Sequence, residues 1–237
     1  MILLLFGPPG CGKGTQAEFL AERFRIPAIS TGEMIRAECQ AGTALGRMAC
    51  SIVSNGGLVS DETVNEIVAS RIARPDCADG FLLDGYPRTV SQTIYLADLL
   101  RQRGLPEPVV IHLDVPDRVV VRRLTARRQC PRCKHIYNLL TQPPRQPVFC
   151  DTDAATLATR DDDSEPVVRR RLQAYAELTG PILKWYGPRV VRSVDGSLAP
   201  AAVSQAVAQV IECKYQLSKL SPLLEIRPSG RAASDQG

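Results

Sequence analysis

The sequence predicts an α/β protein built on a parallel sheet. Three observations carry this. Short apolar runs recur along the chain, helix-like segments separate them, and a glycine-rich loop joins the first run to the first helix. A short run that is hydrophobic almost throughout suits a strand buried on both faces, the situation in a parallel sheet covered by helices.

The first run is Ile2 to Phe6. Gly7-Pro8-Pro9-Gly10-Cys11-Gly12-Lys13-Gly14-Thr15-Gln16 follows, then a helix-like run from Ala17 to Phe24. Strand, glycine-rich turn and helix start together form the setting of a phosphate cradle. The glycines let backbone N–H groups converge on an anion, and the helix start adds unpaired donors and the positive end of its dipole. Lys13 can reach the outer phosphates as a point charge, and Thr15 can offer its hydroxyl to Mg²⁺. Gly14 stands where Ser or Thr usually follows the lysine, with Thr15 one place later.

Ile26 to Ile29 is the second run. Ser30-Thr31-Gly32-Glu33-Met34-Ile35-Arg36 comes directly after it. Ser30 or Thr31 can cap a helix, and Arg36 lies about one turn in. Gly56-Gly57-Leu58-Val59-Ser60-Asp61-Glu62 reads as a turn, an apolar wall and another helix cap. Residues 30–59 carry helix signals and no clear strand.

The third run, Phe81 to Leu83, ends in Asp84, and ligands gather at the carboxyl ends of strands in open α/β sheets. Asp84 can hold hydrated Mg²⁺ near Thr15. Gly85 permits close backbone approach, and Tyr86-Pro87 admits a cis bond that directs Arg88. Gln92 lies four residues on from Arg88, where its amide can read a base edge.

Val109 to Val115 is the fourth run. A helix with Arg118, Arg122, Arg123, Arg127 and Arg128 follows, in which Arg123 and Arg127 share a face. Residues 126–163 are rich in Arg, Pro, Cys and Asp and read as an excursion from the core. Within them Cys130-Pro131-Arg132-Cys133 and Cys150-Asp151-Thr152-Asp153 are separated by sixteen residues. That is zinc-ribbon spacing, with Asp153 as the last ligand and His135 as the alternative to it. Four protein ligands leave no open position, so the metal would be structural, stapling a segment without a large core. Arg160-Asp161-Asp162-Asp163 and Arg169-Arg170-Arg171 flank a helix that Asp163 or Ser164 can cap, with Pro166 in its first turn. Val190 to Val194 is the last run. The tail from about Ser218 holds Pro222, Pro228, Ser229 and Gly230 and reads as largely disordered. There is no internal repeat.

At 237 residues the chain can form one sizeable domain with inserted lobes. Its 44% hydrophobic and 23% charged residues are those of an ordinary globular protein. The net charge of +4 is mild and fits anionic small molecules as well as nucleic acid. Met1 to Phe6 has no basic leader or cleavage site and is too short to span a membrane, so a cytoplasmic protein is expected. Disulfides are then not expected, and the isolated Cys11, Cys39, Cys50, Cys77 and Cys213 are read mostly as small apolar fillers.

Gly-Pro-Pro-Gly-Cys-Gly-Lys-Gly-Thr-Gln, Ser-Thr-Gly-Glu-Met-Ile-Arg and Phe-Leu-Leu-Asp-Gly-Tyr-Pro-Arg-Thr closely resemble adenylate kinase motifs, in order and at that family's spacing, over roughly residues 1–212. The Cys130, Cys133, Cys150, Asp153 set resembles the zinc-lid type. The resemblance implies a P-loop core with a five-stranded parallel sheet flanked by helices, an inserted helical NMP-binding domain and a small zinc-stapled lid. The implied ranges are 1–29, 60–125 and 164–217 for the core, 30–59 for the NMP-binding domain and 126–163 for the lid, with 218–237 as the tail.

The resemblance also implies reversible phosphoryl transfer from MgATP to AMP, giving two ADP. It selects Lys13, Arg88, Arg123, Arg160 and Arg171 as catalytic cations. Gly10, Cys11, Gly12, Lys13, Gly14, Thr15, Arg127, Leu198 and the backbone near Ile136-Tyr137 match the ATP side. Thr31, Arg36, Gly57, Leu58, Val59, Gly85, Tyr86, Pro87, Arg88, Gln92, Arg160 and Arg171 match the AMP side. Asp84 and Thr15 match water-mediated Mg²⁺ contacts, and Asp162 and Asp163 match lid acids that pair with arginines. Closure of 30–59 and 126–163 over both substrates would exclude water; the adenylate kinase lid is itself a known instance of such gating. A monomer is implied, with neither nucleic acid nor membrane as partner. Glu33 stands where the family commonly has Asp, Gly57 where a side chain is usual, and Asn138 where His is common.

Two competing readings stand beside this one. One is a sibling kinase with another nucleoside monophosphate or donor; Thr31 and Gln92 favour AMP by resemblance. The other is a zinc-ribbon nucleic-acid-binding protein, permitted by the basic run Arg118 to Arg132. The lack of aromatics among those arginines weighs against it.

Overall fold

The computed structural model describes residues 1–224. Its centre is a five-stranded parallel sheet of β1 (Ile2–Phe6), β2 (Ala28–Ser30), β3 (Phe81–Asp84), β4 (Val109–Asp114) and β7 (Val191–Asp195), in the order β2-β3-β1-β4-β7. These are the five apolar runs. Every residue of β1 is buried, because both faces of the sheet are covered.

Alternation along β1 divides the core. Leu3 and Leu5 face one side with Leu20 of α1 (Lys13–Phe24), Val120 and Leu124 of α6 (Asp117–Thr125), Val168 of α7 (Glu165–Ala174), and Val207 and Ile211 of α9 (Pro200–Leu224). Ile2, Leu4 and Phe6 face the other side. They meet Ile35 of α2 (Thr31–Ala41), Ala49 of α3 (Ala44–Ser54), Val68 of α4 (Asp61–Ile72), Leu96 of α5 (Val90–Gln102) and Ile182 of α8 (Gly180–Tyr186). Full burial of such a side chain stabilises by roughly 1.5–3 kcal/mol.

The chain leaves β1 toward β2 on one flank and β4 toward β7 on the other. The connections therefore diverge at the carboxyl end of the β1–β4 pair, where open α/β sheets form a crevice. The loop after β1 sits there.

Two insertions rise around this crevice. Helices α2 and α3 occupy residues 31–54. Gly46 lets them approach closely: a Cβ there would lie 2.0 Å from the Glu38 carbonyl oxygen. Residues 126–163 contain an antiparallel hairpin of β5 (Arg127–Gln129) and β6 (Ile136–Asn138), with bridges Gln129–Ala158 and Phe149–Thr156.

Three local expectations come out differently. The helix expected to carry Arg123 and Arg127 on one face ends at Thr125, and Arg127 and Arg128 fall on β5 instead, where they pair with β6. Helix α7 starts where Ser164 predicts, but no side chain caps it; the Asp163 carboxylate is engaged with Arg127 instead. Residues 218–224, expected in a disordered tail, are the last turns of α9. The rest of that tail lies outside the described residues.

Candidate active site and metal centre

The glycine-rich loop turns from β1 into α1 with left-handed or near-left-handed backbone at Gly7, Gly10 and Gly12, at φ of 147°, 74° and 105°. A Cβ on Gly7 would lie 2.6 Å from the Leu113 carbonyl oxygen, and one on Gly10 would lie 2.5 Å from Leu124 Cγ. The loop is thus pressed onto its supports. Gly12 is the N-cap of α1 and supplies no side-chain cap, which leaves the first-turn donors of the helix for an anion. Gly14 and Thr15 are exposed on that turn. Lys13 Nζ donates to the carbonyls of Gly7 (2.7 Å) and Pro8 (2.9 Å). The Cys11 thiol is buried, and burial pushes its pKa up, so it is an uncharged packing group.

Opposite Leu5 on the neighbouring strand lies Asp84. Burial raises the pKa of its carboxyl group, while Lys13, Arg88 and Arg36 pull it down. Asp84 and Thr15 both line the cleft, and a carboxylate with a hydroxyl offers hard oxygen donors of the kind that fit a Mg²⁺ keeping most of its water.

The loop opens into a cleft of about 980 Å³. Lys13, Arg36, Arg88, Arg123, Arg127, Arg160 and Arg171 all line it. Each is positioned by acceptors. Arg123 donates to the carbonyls of Gly196 (2.7 Å) and Ser197 (3.0 Å). Arg127 grips Asp163 with two bonds of 2.7 and 2.6 Å. Arg171 reaches Asp162 Oδ2 at 2.9 Å. Arg160 donates from Nε to Gln129 (2.7 Å) and from its other end to Glu33 (3.0 Å). Glu33 also holds Arg36, whose buried Nε has no partner among the described residues.

Crowding of cations is itself a property of the site. Burial and then the neighbouring Arg171 lower the pKa of Arg88. Burial and then Arg127 lower that of Arg160 to about 10. Arg160 thus remains cationic at neutral pH, and the crowded field favours an incoming polyanion.

On the α2 side, Thr31 Oγ1 donates to the Gly85 carbonyl at 2.9 Å, and Arg88 Nε donates to the same oxygen at 2.8 Å. Gly85 has φ of 80°, and Tyr86-Pro87 is cis. Gly57, Leu58, Val59, Pro87 and Gln92 complete this wall. Tyr86 does not line the cleft. Its ring is in the core and its hydroxyl donates to Asn65 at 2.6 Å, so only its backbone is near the pocket. Gln92 is held from two sides, its Oε1 accepting from Arg88 N–H and its Nε2 donating to Asp61. On the other side, Ile136 and Leu198 are exposed at the cleft edge. The Tyr137 ring turns inward, which leaves its backbone toward the cleft.

The four expected metal ligands come together. The donor atoms of Cys130, Cys133, Cys150 and Asp153 all lie within 4.8 Å of one another. Cys133 and Cys150 sulfurs are 3.5 Å apart, and Cys130 Sγ is 3.3 Å from Asp153 Oδ1. Tetrahedral zinc with bonds of about 2.3 Å needs sulfurs about 3.8 Å apart, so the set fits. Both ligand pairs sit on matching turns. Lys134 N–H donates to the Cys130 carbonyl and Ala154 N–H to the Cys150 carbonyl, each at a left-handed residue. His135 is not in the group; it packs edge-on against Tyr137.

Several supporting residues were not legible as such: Gln129 beneath Arg160, Asp61 beside Gln92, Asn65 on Tyr86 and Glu33 between two arginines. Only Glu33 and Asp61 had a local signal, their helix-start positions.

The family described as Adenylate kinase matches this chain over residues 5–191. The chain is similar to proteins named Adenylate kinase from Trichlorobacter lovleyi (46% identical) and Anaeromyxobacter dehalogenans (43%), each over 89% of this chain and 99% of the relative. It is likewise 43% identical to one from Kosmotoga olearia, over 90% of this chain and 99% of that relative. With a phosphate-type loop, a cation-lined cleft and this extent of similarity, the chain belongs to the adenylate kinase family.

Proposed function

We propose that the protein catalyses reversible phosphoryl transfer from MgATP to AMP, giving two ADP. The observation that carries this is the convergence of Lys13, Arg36, Arg88, Arg123, Arg127, Arg160 and Arg171 on one cleft, between the glycine-rich loop and the Thr31–Gly85–Gln92 wall. The acceptor phosphate oxygen is already ionised at neutral pH, so no general base is needed. The obstacle is the approach of two anions, and fixed positive charge meets it.

In this reading Gly10 to Thr15, Arg127, Leu198 and the Ile136-Tyr137 backbone hold ATP. Thr31, Arg36, the backbone of residues 57–59 and 85–88, and Gln92 hold AMP. Lys13, Arg88, Arg123, Arg160 and Arg171 face the phosphoryl group in flight. Asp84 and Thr15 would hold Mg²⁺ through water, and the ion would supply neutralisation of phosphate charge. Zn²⁺ would sit among Cys130, Cys133, Cys150 and Asp153 as a structural ion. Residues 30–59 act as the AMP lobe and 126–163 as the lid. The protein works as a cytoplasmic monomer on free nucleotides. Among the described residues no helix is long and apolar enough to cross a membrane.

A coupled assay for ADP formed from MgATP with AMP, CMP, UMP and GMP side by side tests the reading. Turnover with AMP well above the others is expected. Binding of ATP and AMP without exchange of a phosphoryl group would overturn it.

A further inference from the structure

Asp61, the first residue of α4, has no place in the roles above. Its carboxylate nevertheless ties together two groups of the acceptor wall. Oδ1 accepts from Gln92 Nε2 at 2.8 Å, and Oδ2 accepts from Thr89 Oγ1 at 2.7 Å. Thr89 Oγ1 in turn accepts from Gln92 N–H at 3.1 Å, capping α5. The other end of the Gln92 amide, Oε1, accepts from Arg88 N–H at 2.7 Å. Gln92 is 2% exposed, so water does not substitute freely for these partners.

The clamp has a direction. An ionised carboxylate only accepts, and a backbone N–H only donates. Turning the amide by half a rotation would set its oxygen against the Asp61 carboxylate and its NH₂ against Arg88 N–H. Neither pair can bond. The neighbours therefore dictate the amide orientation, which a glutamine on its own does not have.

We propose that Asp61 is a specificity-determining positioning residue, which fixes the end of the Gln92 amide that meets the acceptor base and so sets the preference for adenine. This rests on the reading of Gln92 as the base-facing residue of the AMP pocket. An amide has two donor hydrogens and two acceptor lone pairs. Asp61 and Arg88 take one of each. One N–H and one lone pair are left for the cleft, where Gln92 forms part of the wall. Adenine offers the matching pair, a ring-nitrogen acceptor beside an amino donor. Hypoxanthine and guanine offer a ring N–H beside a carbonyl. Pairing with them needs the turned amide, which Asp61 opposes.

The test compares steady-state phosphorylation of AMP and IMP by MgATP in the full chain, Asp61→Asn and Asp61→Ala. The unaltered chain should prefer AMP. In both variants the ratio of kcat/KM for AMP to that for IMP should fall about tenfold, since turning the amide then forfeits one fewer hydrogen bond and meets no carboxylate. KM for MgATP should not move. A merely structural role would lower turnover of both acceptors together; an intact ratio in a folded variant overturns the proposal. An unaltered chain that does not distinguish AMP from IMP would overturn the reading of Gln92 itself, and the role of Asp61 with it. Should neither variant fold, hydrogen exchange of the Gln92 side-chain NH₂ in the unaltered chain decides. One hydrogen should exchange much more slowly than those of exposed glutamines before nucleotide is added; free exchange of both overturns the proposal.

Discussion

Glu33 on α2 and Arg160 near the end of residues 126–163 meet at 3.0 Å, through the same carboxylate oxygen that holds Arg36. One acid thus ties together two arginines assigned to phosphate. Its carboxylate competes with phosphate for both. Glu33 is half exposed in its side chain, so each pair is worth at most about 1 kcal/mol. Glu33→Gln should lower KM for AMP by up to about fivefold at low ionic strength, with a smaller effect at high salt. Initial rates at two salt concentrations check this; an unchanged KM at low salt counts against the competition.

Arg88 is half-buried with Arg171 nearby, and both conditions disfavour its charge. Removing it relieves repulsion as well as removing an attraction for the phosphoryl group. Arg88→Ala should therefore lower kcat by about 10²–10³-fold without lowering the melting temperature. Retained kcat would remove Arg88 from the catalytic set.

Asp84 gives a pH signature. Its carboxyl pKa is raised by burial, so the folded state holds that proton more tightly than the unfolded chain. The stability this group contributes is full below the unfolded pKa near 3.8 and falls as pH rises toward the folded value. Asp84→Asn should then raise the melting temperature at neutral pH, by about 2–4 °C per kcal/mol recovered. If Asp84 holds Mg²⁺ through water as proposed, activity should fall about 10–100-fold. Thermal melts and rates on one preparation check both signs; a lower melting temperature would contradict the burial account.

Asp163 is almost fully buried and doubly bonded to Arg127. Asp163→Asn strands a guanidinium and should cost about 3 kcal/mol, measured by urea unfolding. A loss under 1 kcal/mol would mean that water reaches the pair.

If the proposed structural ion sits among Cys130, Cys133, Cys150 and Asp153, its chelation should lower the melting temperature more than it weakens AMP binding, since those four residues belong to residues 126–163 and the proposed AMP wall does not. Calorimetric melts and AMP titrations after verified metal loss check this. An unchanged melting temperature would rule out a structural ion.

The sheet was readable because burial on both faces leaves strands such as Ile2–Phe6 and Phe81–Asp84 apolar nearly throughout. The cluster of Cys130, Cys133, Cys150 and Asp153 was readable because its members come in two close-spaced pairs. What stayed hidden depends on distance along the chain. Asp61 and Gln92 are 31 residues apart, and Gln129 and Arg160 are likewise 31 apart; no local pattern announces such partners. Lys134 and Ala154 take left-handed backbone without being glycine, so neither matching turn carries the usual turn residue. The Asp163 cap failed for a related reason: a buried arginine competes for the carboxylate more strongly than a helix end does.

Lys13 carries a consequence for how experiments at the glycine-rich loop are interpreted. Its nitrogen braces the bend between β1 and α1 by gripping two carbonyls of that bend. Shortening the side chain therefore slackens the corner at the same time as it deletes a charge. A rate defect in Lys13→Ala blends mechanical and electrostatic damage, and only a longer cation such as arginine at this site, which keeps the charge but misfits the brace, separates the two.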